Sequence, residues 1–272
     1  MTISIVIYRT PIELIIRCLT SIFQAIRYYK DVESSLDVEI YIINNGSECL
    51  DIELRKSEIY ELLRLMGCVT QIIEGHGNIG YGAAHNLTLE KGLGDFQILM
   101  NPDVRLAQDS IMRGVQFLRS NPDTIAISPS QLTSEGERLP LSKRYPSVFD
   151  LFLRGFGLDW LKNQFRSRLN NYEMKDLDIH SPTKDVPLIS GCYMLCRRSA
   201  LRQVAGFDER YFLYFEDFDL SLRLGLIGKL AIVPGMSIEH DGGESAKKGL
   251  KHIFLFLHSA YKFFSTHGWK WY

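Results

Sequence analysis

The sequence predicts an α/β fold built on a doubly wound, mostly parallel sheet. Short β-rich runs recur at residues 3–8, 38–43, 69–73 and 96–100, and the first is nearly continuous in apolar side chains, as a central strand covered on both faces is. The segments between them carry helical apolar spacing, and strand–helix alternation is the pattern of a parallel sheet. The second and fourth runs stop at clusters of turn residues, Asn44-Asn45-Gly46-Ser47 and Asn101-Pro102-Asp103. Such sheets bind ligands beyond the carboxyl ends of their strands, where these clusters would project.

Composition bounds the function. With 272 residues, 46% of them hydrophobic, a sizeable core is expected, arranged as one compact domain with an elaborated carboxyl-terminal half. A net charge of −1 gives no reason to expect a nucleic-acid partner. The five cysteines are an odd number without zinc-ligand spacing, so a reduced, cytoplasmic setting is the simplest reading. The amino terminus reaches Arg9 and Pro11 within a few residues and reads as a first strand, not a secretion signal. No apolar run approaches the ~18 residues of a membrane span, so any membrane contact would be peripheral.

In chain order, Thr10, Pro11 and Glu13 look like a capped helix start, with Thr10 as N-cap and Glu13 closing a capping box. That helix should run to about Tyr29 with Leu14, Cys18, Ile22 and Ile26 on its apolar face. A helix is expected over 52–66, a turn over 75–82, and a helix from there to about Glu90. A further helix over 111–119 and a strand over 125–128 follow. Residues 130–145 are polar, 148–161 are helical in pattern, and 162–185 read as a mobile or acceptor-facing excursion. Order returns over 188–196, with a helix over 198–204, the cluster 206–224, and a strand over 229–233 ended by a turn at Pro234-Gly235.

Three constellations can carry chemistry. In Asn101-Pro102-Asp103, Pro102 removes a backbone donor, so Asp103 projects past the sheet edge. A carboxylate there suits a hard divalent cation that also binds diphosphate oxygens, the plain alternative being an ordinary turn. In residues 206–220, Asp208, Glu209, Glu216, Asp217 and Asp219 sit among aromatics, and apolar walls raise carboxyl pKa values toward those suited to proton transfer. The alternative makes Asp217 a helix cap with Asp219 in the first turn. His240, beside Asp241, Gly242, Gly243 and Ser245, can reach a metal or phosphate from an uncrowded loop, or be merely structural.

Together these segments resemble the inverting glycosyltransferases of family 2, which have the GT-A fold, and among them bacterial rhamnosyltransferases of cell-surface polysaccharide such as O-antigen. The likeness runs in family order over about residues 3–245: the first strand, Asn44 to Ser47, Asn78-Ile79-Gly80-Tyr81-Gly82 to Asn86, Asn101-Pro102-Asp103, Ser190-Gly191-Cys192, Gly206-Phe207-Asp208-Glu209, Glu216-Asp217-Phe218-Asp219 and His240-Asp241-Gly242-Gly243. The resemblance implies that Asp103 binds Mg²⁺ or Mn²⁺, with His240 completing the coordination. It places Asn101 near the ribose or diphosphate, and Asn44, where the family commonly has an aspartate, near the donor base. Asn78 and Gly80 match a donor-contacting loop. Asp217 matches the catalytic base, Glu216 supports its loop, and Asp208 and Glu209 orient the acceptor. Arg144 is a candidate contact to diphosphate or acceptor, with a solvated arginine as the alternative. The implied reaction is a single inverting displacement on a nucleotide sugar such as dTDP-β-L-rhamnose, with a saccharide or lipid-linked saccharide as acceptor. Residues 1–129 would form the nucleotide-sugar half and 130–248 the acceptor and catalytic half.

Residues 249–272 read as a separate basic, aromatic, amphipathic helix. From 246 onward there are five lysines, eight aromatic residues and no Asp or Glu. As a helix, Ile253, Phe256, Leu257, Ala260 and Phe264 gather on one side, with Lys251, His258, Ser259 and Lys262 on the other. Such a helix can rest on the cytoplasmic face of an anionic membrane, cap the core or form a homodimer contact. A dinucleotide-dependent oxidoreductase is disfavoured, because Arg9-Thr10-Pro11 stands where its glycine-rich turn belongs. A non-catalytic sugar-binding protein would not require Asp103, Asp217 and His240 to converge. A metal nuclease would want a broader basic groove.

Overall fold

A computed structural model describes residues 1–33, 36–47, 51–92, 94–133, 136–178, 180–240 and 249–272. Its first half follows the expected alternation: β1 (Thr2–Ile7), α1 (Ile12–Val32), β2 (Glu39–Asn44), α2 (Asp51–Arg55), α3 (Glu58–Leu65), β3 (Val69–Ile73), α4 (Tyr81–Asn86) and β4 (Phe96–Met100). Next come β5 (Val104–Leu106), α5 (Ser110–Ser120), β6 (Thr124–Leu132), β7 (Arg138–Pro140) and β8 (Ser142–Lys143). The elaborated part holds α6 (Val148–Phe156), α7 (Asp159–Gln164), α8 (Arg166–Tyr172), β9 (Thr183–Lys184), β10 (Leu188–Ile189), β11 (Tyr193–Arg197) and α9 (Arg198–Gln203). The chain then forms α10 (Glu216–Gly225), β12 (Lys229–His240) and α11 (Leu250–His267).

The main sheet runs β3-β2-β1-β4-β11-β6-β12-β5, with β7 and β9 paired at its side. Strands β1 to β4 are parallel, so β1, β2 and β4 end on one edge. Strand β11 enters antiparallel to β4 with Tyr193 opposite Met100, which brings the turn before β11 to that edge. Every residue of β1 and β4 is buried, which accounts for their nearly continuous apolar character; the polar Ser4 and Gln97 are hydrogen-bonded to His85 and Thr88.

Several local expectations are corrected. Pro11, not Thr10, caps α1, and no side chain supports the cap. The Pro11 carbonyl accepts from Leu14 N–H, while Thr10 Oγ1 accepts instead from Tyr8 N–H at 3.3 Å, so there is no capping box with Glu13. The helix expected over 52–66 breaks because the Ser57 hydroxyl and N–H both donate back to the Leu54 carbonyl, closing α2. The apolar stretch 148–161 is likewise two helices; Ser147 and Asp150 form a true capping box on the first, and the chain turns extended at Gly157 and Leu158. Pro234-Gly235 is no strand end: β12 passes through it, with its register against β6 shifting between Val233 and Ser237. A bulge tolerates proline because it leaves a ladder position unpaired. The supposed excursion 162–185 contains α8 and β9, and Tyr172 and Met174 in it are buried.

The tail helix α11 faces differently from its predicted wheel. Ser259, Ala260, Phe263 and Phe264 are buried, whereas Ile253 and Leu257 are exposed. Its buried side packs on Leu151, Tyr211 and Phe215, forming a hydrophobic cluster with the elaborated half. The chain end continues that contact, since Val148 and Phe149 N–H donate to the Lys270 and Trp271 carbonyls. Burying one large apolar side chain is worth about 1.5–3 kcal/mol, so this surface binds the tail to the fold. No helix among the described residues is long and apolar enough to cross a membrane.

Candidate active site

Three strand ends and one loop converge at the carboxyl edge of the sheet. Asn44 ends β2 with its side chain buried; its Oδ1 accepts from Gly46 N–H at 2.8 Å, and its amide lies 3.4 Å from Glu74 Oε2. Asn45 donates to the Gly80 carbonyl at 3.0 Å, and Asn78 Oδ1 accepts from Gly80 N–H at 3.1 Å. The Asn44 and Asn78 clusters are thereby welded into one wall. At the end of β4, Asn101 N–H donates to the Cys192 carbonyl at 2.9 Å, tying the Asn-Pro-Asp turn to the turn before β11.

Asp103 and His240 do meet. Strands β5 and β12 pair with His240 opposite Val104, and Asp103 Oδ2 lies 3.4 Å from His240 Nε2. A carboxylate and an imidazole at that spacing fit two ligands of one Mg²⁺ or Mn²⁺ ion. Among the described residues no third His, Cys, Asp or Glu completes a metal-binding group. The Asp241-Gly242-Gly243-Ser245 loop lies outside the described residues.

The Glu216-Asp217 pair is set by an unusual turn. Tyr214 and Phe215, at φ 69° and 64°, are two successive left-handed non-glycine residues, a conformation costing about 1–3 kcal/mol per residue. Burial of Phe215 against Phe263 and a 3.0 Å contact between Tyr214 Oη and His252 Nδ1 hold them there. Phe215, not Asp217, occupies the N-cap of α10. Asp217 is therefore available for other bonds: Gly191 N–H donates to its Oδ2 at 2.9 Å and Phe218 N–H to its Oδ1 at 3.0 Å. The Gly191 carbonyl in turn accepts from Tyr81 Oη at 2.6 Å, and Tyr81 N–H donates to the Phe212 carbonyl at 3.1 Å. Gly80 closes this ring: at φ 95°, a Cβ there would stand 2.6 Å from the Phe212 carbonyl oxygen.

Burial raises both carboxyl pKa values. Asp217 is pushed up by desolvation, against the lowering effect of its two N–H donors and of the nearby Lys143 charge. Glu216 is buried, its Oε2 has no hydrogen-bond partner, and desolvation followed by repulsion from Asp217 pushes it up to about 8. Burial and mutual repulsion thus favour a shared proton on the pair, and the two N–H donors and the Lys143 charge favour the anionic form of Asp217.

The remaining candidates are engaged locally. Asp208 is clasped by Arg210, which donates at 2.6–3.0 Å and holds its carboxyl below the usual range. Glu209 accepts from Asn86 Nδ2 at 3.1 Å. Asp219 belongs to structure: it is buried between Arg223 at 2.7 Å and His267 at 2.8 Å. Arg144 makes a two-pronged 2.7 Å pair with Asp176, the partly exposed arrangement of the plainer alternative. His85, within the Asn78–Asn86 motif, is a core histidine bonded to Ser4 Oγ at 2.6 Å, with burial pushing its pKa down to about 3.

Sequence reasoning missed Lys143, Tyr81 and the backbone of Gly191 as parts of the site. Lys143 on β8 is largely enclosed, its pKa lowered by burial, with the Asp217 charge acting on it in the opposite sense. Nothing in a two-residue strand flagged it. Tyr81 and Gly191 did stand inside quoted motifs, and the signal was the motif itself without a geometry.

Comparison with known proteins gives the family and the fold. The family described as Glycosyl transferase family 2 matches residues 2–205. The chain is 31% identical over 212 residues to the N-acetylglucosaminyl-diphospho-decaprenol L-rhamnosyltransferase of Mycobacterium tuberculosis, covering 71% of this chain and 66% of the relative. It is 30% identical over 149 residues to Rhamnosyltransferase WbbL of Escherichia coli K12, covering 54% of this chain and 52% of that protein. The chain thus spans just under two thirds of the mycobacterial relative and about half of the other. Among solved structures, GalNAc-T7 with UDP, GalNAc and Mn²⁺ superposes at a TM-score of 0.60 with 15% identity, covering 88% of this chain and 43% of that one. A Pyrobaculum calidifontis mannosyltransferase with GDP-Man and Mn²⁺ gives 0.58 with 12% identity, covering 90% and 57%. These likenesses show the GT-A fold. The chain belongs to glycosyl transferase family 2.

Proposed function

We propose that the chain is an inverting, metal-dependent glycosyltransferase that moves L-rhamnose from dTDP-β-L-rhamnose to a hydroxyl of a lipid-linked saccharide. The observation that carries the transferase reading is the ring Gly80–Phe212–Glu216-Asp217–Gly191–Tyr81, which holds one enclosed carboxylate beside the sheet edge bearing Asn101, Asp103 and His240. The sugar and acceptor follow the relatives, one of which carries N-acetylglucosaminyl-diphospho-decaprenol L-rhamnosyltransferase as its name.

In this reading residues 1–129 hold the donor, with Asn44 and Asn78 by the base and Asn101 by the ribose and diphosphate. Asp103 and His240 would hold Mg²⁺ or Mn²⁺, which neutralises charge on the departing nucleotide diphosphate. Asp217 takes the proton from the acceptor hydroxyl as that oxygen attacks the anomeric carbon opposite the leaving group, so configuration inverts in one displacement. Glu216 stands beside it, its own pKa raised by burial and by repulsion from Asp217, and supports the Asp217 turn. Asp208 and Glu209 line the acceptor side only if they exchange their present partners, and Arg144 only by leaving Asp176. Residues 130–248 bind the acceptor at the cytoplasmic face of the membrane that carries it.

The test is transfer from dTDP-β-L-rhamnose to a synthetic GlcNAc-diphospho-lipid, with product stereochemistry read by NMR. An α-L-rhamnoside formed only with Mg²⁺ or Mn²⁺ is expected. Turnover with a UDP- or GDP-sugar alone would remove the rhamnose assignment, and a β-linked product would remove the single displacement.

A further inference from the structure

Helix α11 has a second face that the fold leaves open. Opposite its buried side, Phe254, Leu257 and Tyr261 are 69%, 53% and 65% exposed, at spacings that align them along one helical stripe. The stripe continues past the helix end. The Tyr261 ring lies 5.8 Å from Trp269, and Trp269 stacks on Trp271 at 5.0 Å. Both indoles remain partly open, with Trp271 66% exposed. Single exposed apolar residues need no explanation, but a continuous aromatic band does.

Charge selects the occupant. Residues 246–272 hold five lysines and no Asp or Glu; Lys262 turns to the Arg210 carbonyl and the Tyr211 ring, which leaves Lys251 and Lys270 as the described lysines that bear on the open face. Lys251 and Lys270 are exposed, and among the described residues neither makes an ion pair. A second copy docking through this face would set lysines against lysines, since a two-fold interface meets itself. An anionic lipid surface accepts the same lysines, takes aromatic side chains at headgroup depth, and suits a helix too short and polar to span.

We propose that the stripe Phe254, Leu257, Tyr261, Trp269 and Trp271 rests in the headgroup region of an anionic bilayer, with α11 lying in the membrane plane. The inward side of the same helix grips the catalytic turn: Ser259 Oγ donates to the Leu213 carbonyl at 2.8 Å, Tyr214 meets His252, and His267 meets Asp219. Docking therefore fixes the height and orientation of Glu216-Asp217 over the membrane. This deepens the lipid-linked acceptor reading and rests on it for its purpose, though binding itself is read without any sugar transfer.

The experiment floats the full chain with vesicles of phosphatidylcholine alone and of phosphatidylcholine with phosphatidylglycerol. Binding to the anionic vesicles, weakened by salt, is expected, with a loss of at least about ten-fold in the triple variant Phe254→Ser, Leu257→Ser, Tyr261→Ser. That variant should keep the circular dichroism of the parent and its metal-dependent transfer to a water-soluble acceptor, because the three side chains are exposed and lie outside the buried cluster and the site. Brominated acyl chains should quench tryptophan fluorescence of the unmodified chain, and less so after Trp269→Phe with Trp271→Phe. Equal flotation of parent and triple variant, or no quenching in the parent, overturns the proposal. So does a parent dimer by light scattering that the triple variant turns into a monomer, which would give the stripe to a second copy. A donor screen that fails while flotation succeeds removes the transferase reading alone.

Discussion

The Asp217 carboxylate accepts from Gly191 and Phe218 N–H groups, and Lys143 lends it a positive charge from β8. An amide at that position keeps the shape and one acceptor but cannot take a proton. Asp217→Asn is expected to fold normally and to lower kcat by about 10²–10⁴-fold, the range of a lost general base, in a turnover assay. Lys143→Met should shift the acidic limb of the pH–rate profile upward, with partial rescue by Lys143→Arg; an unmoved limb would make Lys143 structural only. For Glu216 the sign follows from its pKa, raised from 4.5 to about 8. Between those values the folded state binds more protons than the unfolded one, so unfolding free energy falls as pH rises through the window. Urea unfolding at about pH 6 and about pH 8.5 should show wild type losing stability on the order of 2–3 kcal/mol more than Glu216→Gln. Asp103, Asp217 and His240 were legible as candidates in the sequence because turn chemistry and motif order mark them, and the structure brings Asp103 and His240 together. Lys143 was not, because its meaning arises only when β8 pairs with β10 and brings it under α10.

At the scale of elements, the strand ends and the loop 75–80 act through backbone contacts that no periodicity reveals. Strands β1, β2 and β4 were readable as nearly continuous buried runs and helices α1 and α5 by a regular buried face, whereas β3 was readable only from its β-branched residues and has no buried residue. The capping box at Thr10 was not present because the Pro11 carbonyl took the helix's first donors, and the two-helix form of 148–161 was hidden by a continuous apolar pattern. The left-handed pair Tyr214-Phe215 has no sequence signal at all, since neither residue favours that region. Gly80 is where this turn meets the loop 75–80. Gly80→Ala should cost about 1–3 kcal/mol, from positive φ and from contact with the Phe212 carbonyl. It should also lower activity beyond the loss in folded fraction, a difference read by thermal melts alongside turnover at a temperature where both proteins are folded.

Across the whole molecule, the tail packs on the carboxyl-terminal half through Leu151, Tyr211 and Phe215. The sequence marked 249–272 as a separate segment by its charge, and the aromatic count gave its amphipathic character, but the pattern does not say which apolar stripe the core claims. Phe263 and Phe264 went inward with Leu151, Tyr211 and Phe215, leaving Phe254 and Leu257 outside. Removing residues 249–272 uncovers that cluster and deprives Asp219 of His267. The truncated chain is expected to lose on the order of 5 kcal/mol of stability, from the buried Ala260, Phe263 and Phe264, and to lose transfer even to a water-soluble acceptor. Full activity in a truncated, normally melting protein would make the tail dispensable to the turn.

The central claim is that one enclosed carboxylate and a metal-linked diphosphate site cooperate in a single displacement. The most direct measurement follows nucleotide-diphosphate release from dTDP-β-L-rhamnose and a panel of other dTDP-, UDP- and GDP-sugars, with a lipid-linked acceptor, with Mg²⁺, Mn²⁺ or chelator, in the parent and in Asp217→Asn. Metal-dependent, acceptor-dependent release from the rhamnose donor, abolished by the substitution, is the predicted result. Silence across the panel together with no donor binding by calorimetry, or undiminished release in Asp217→Asn, would contradict it.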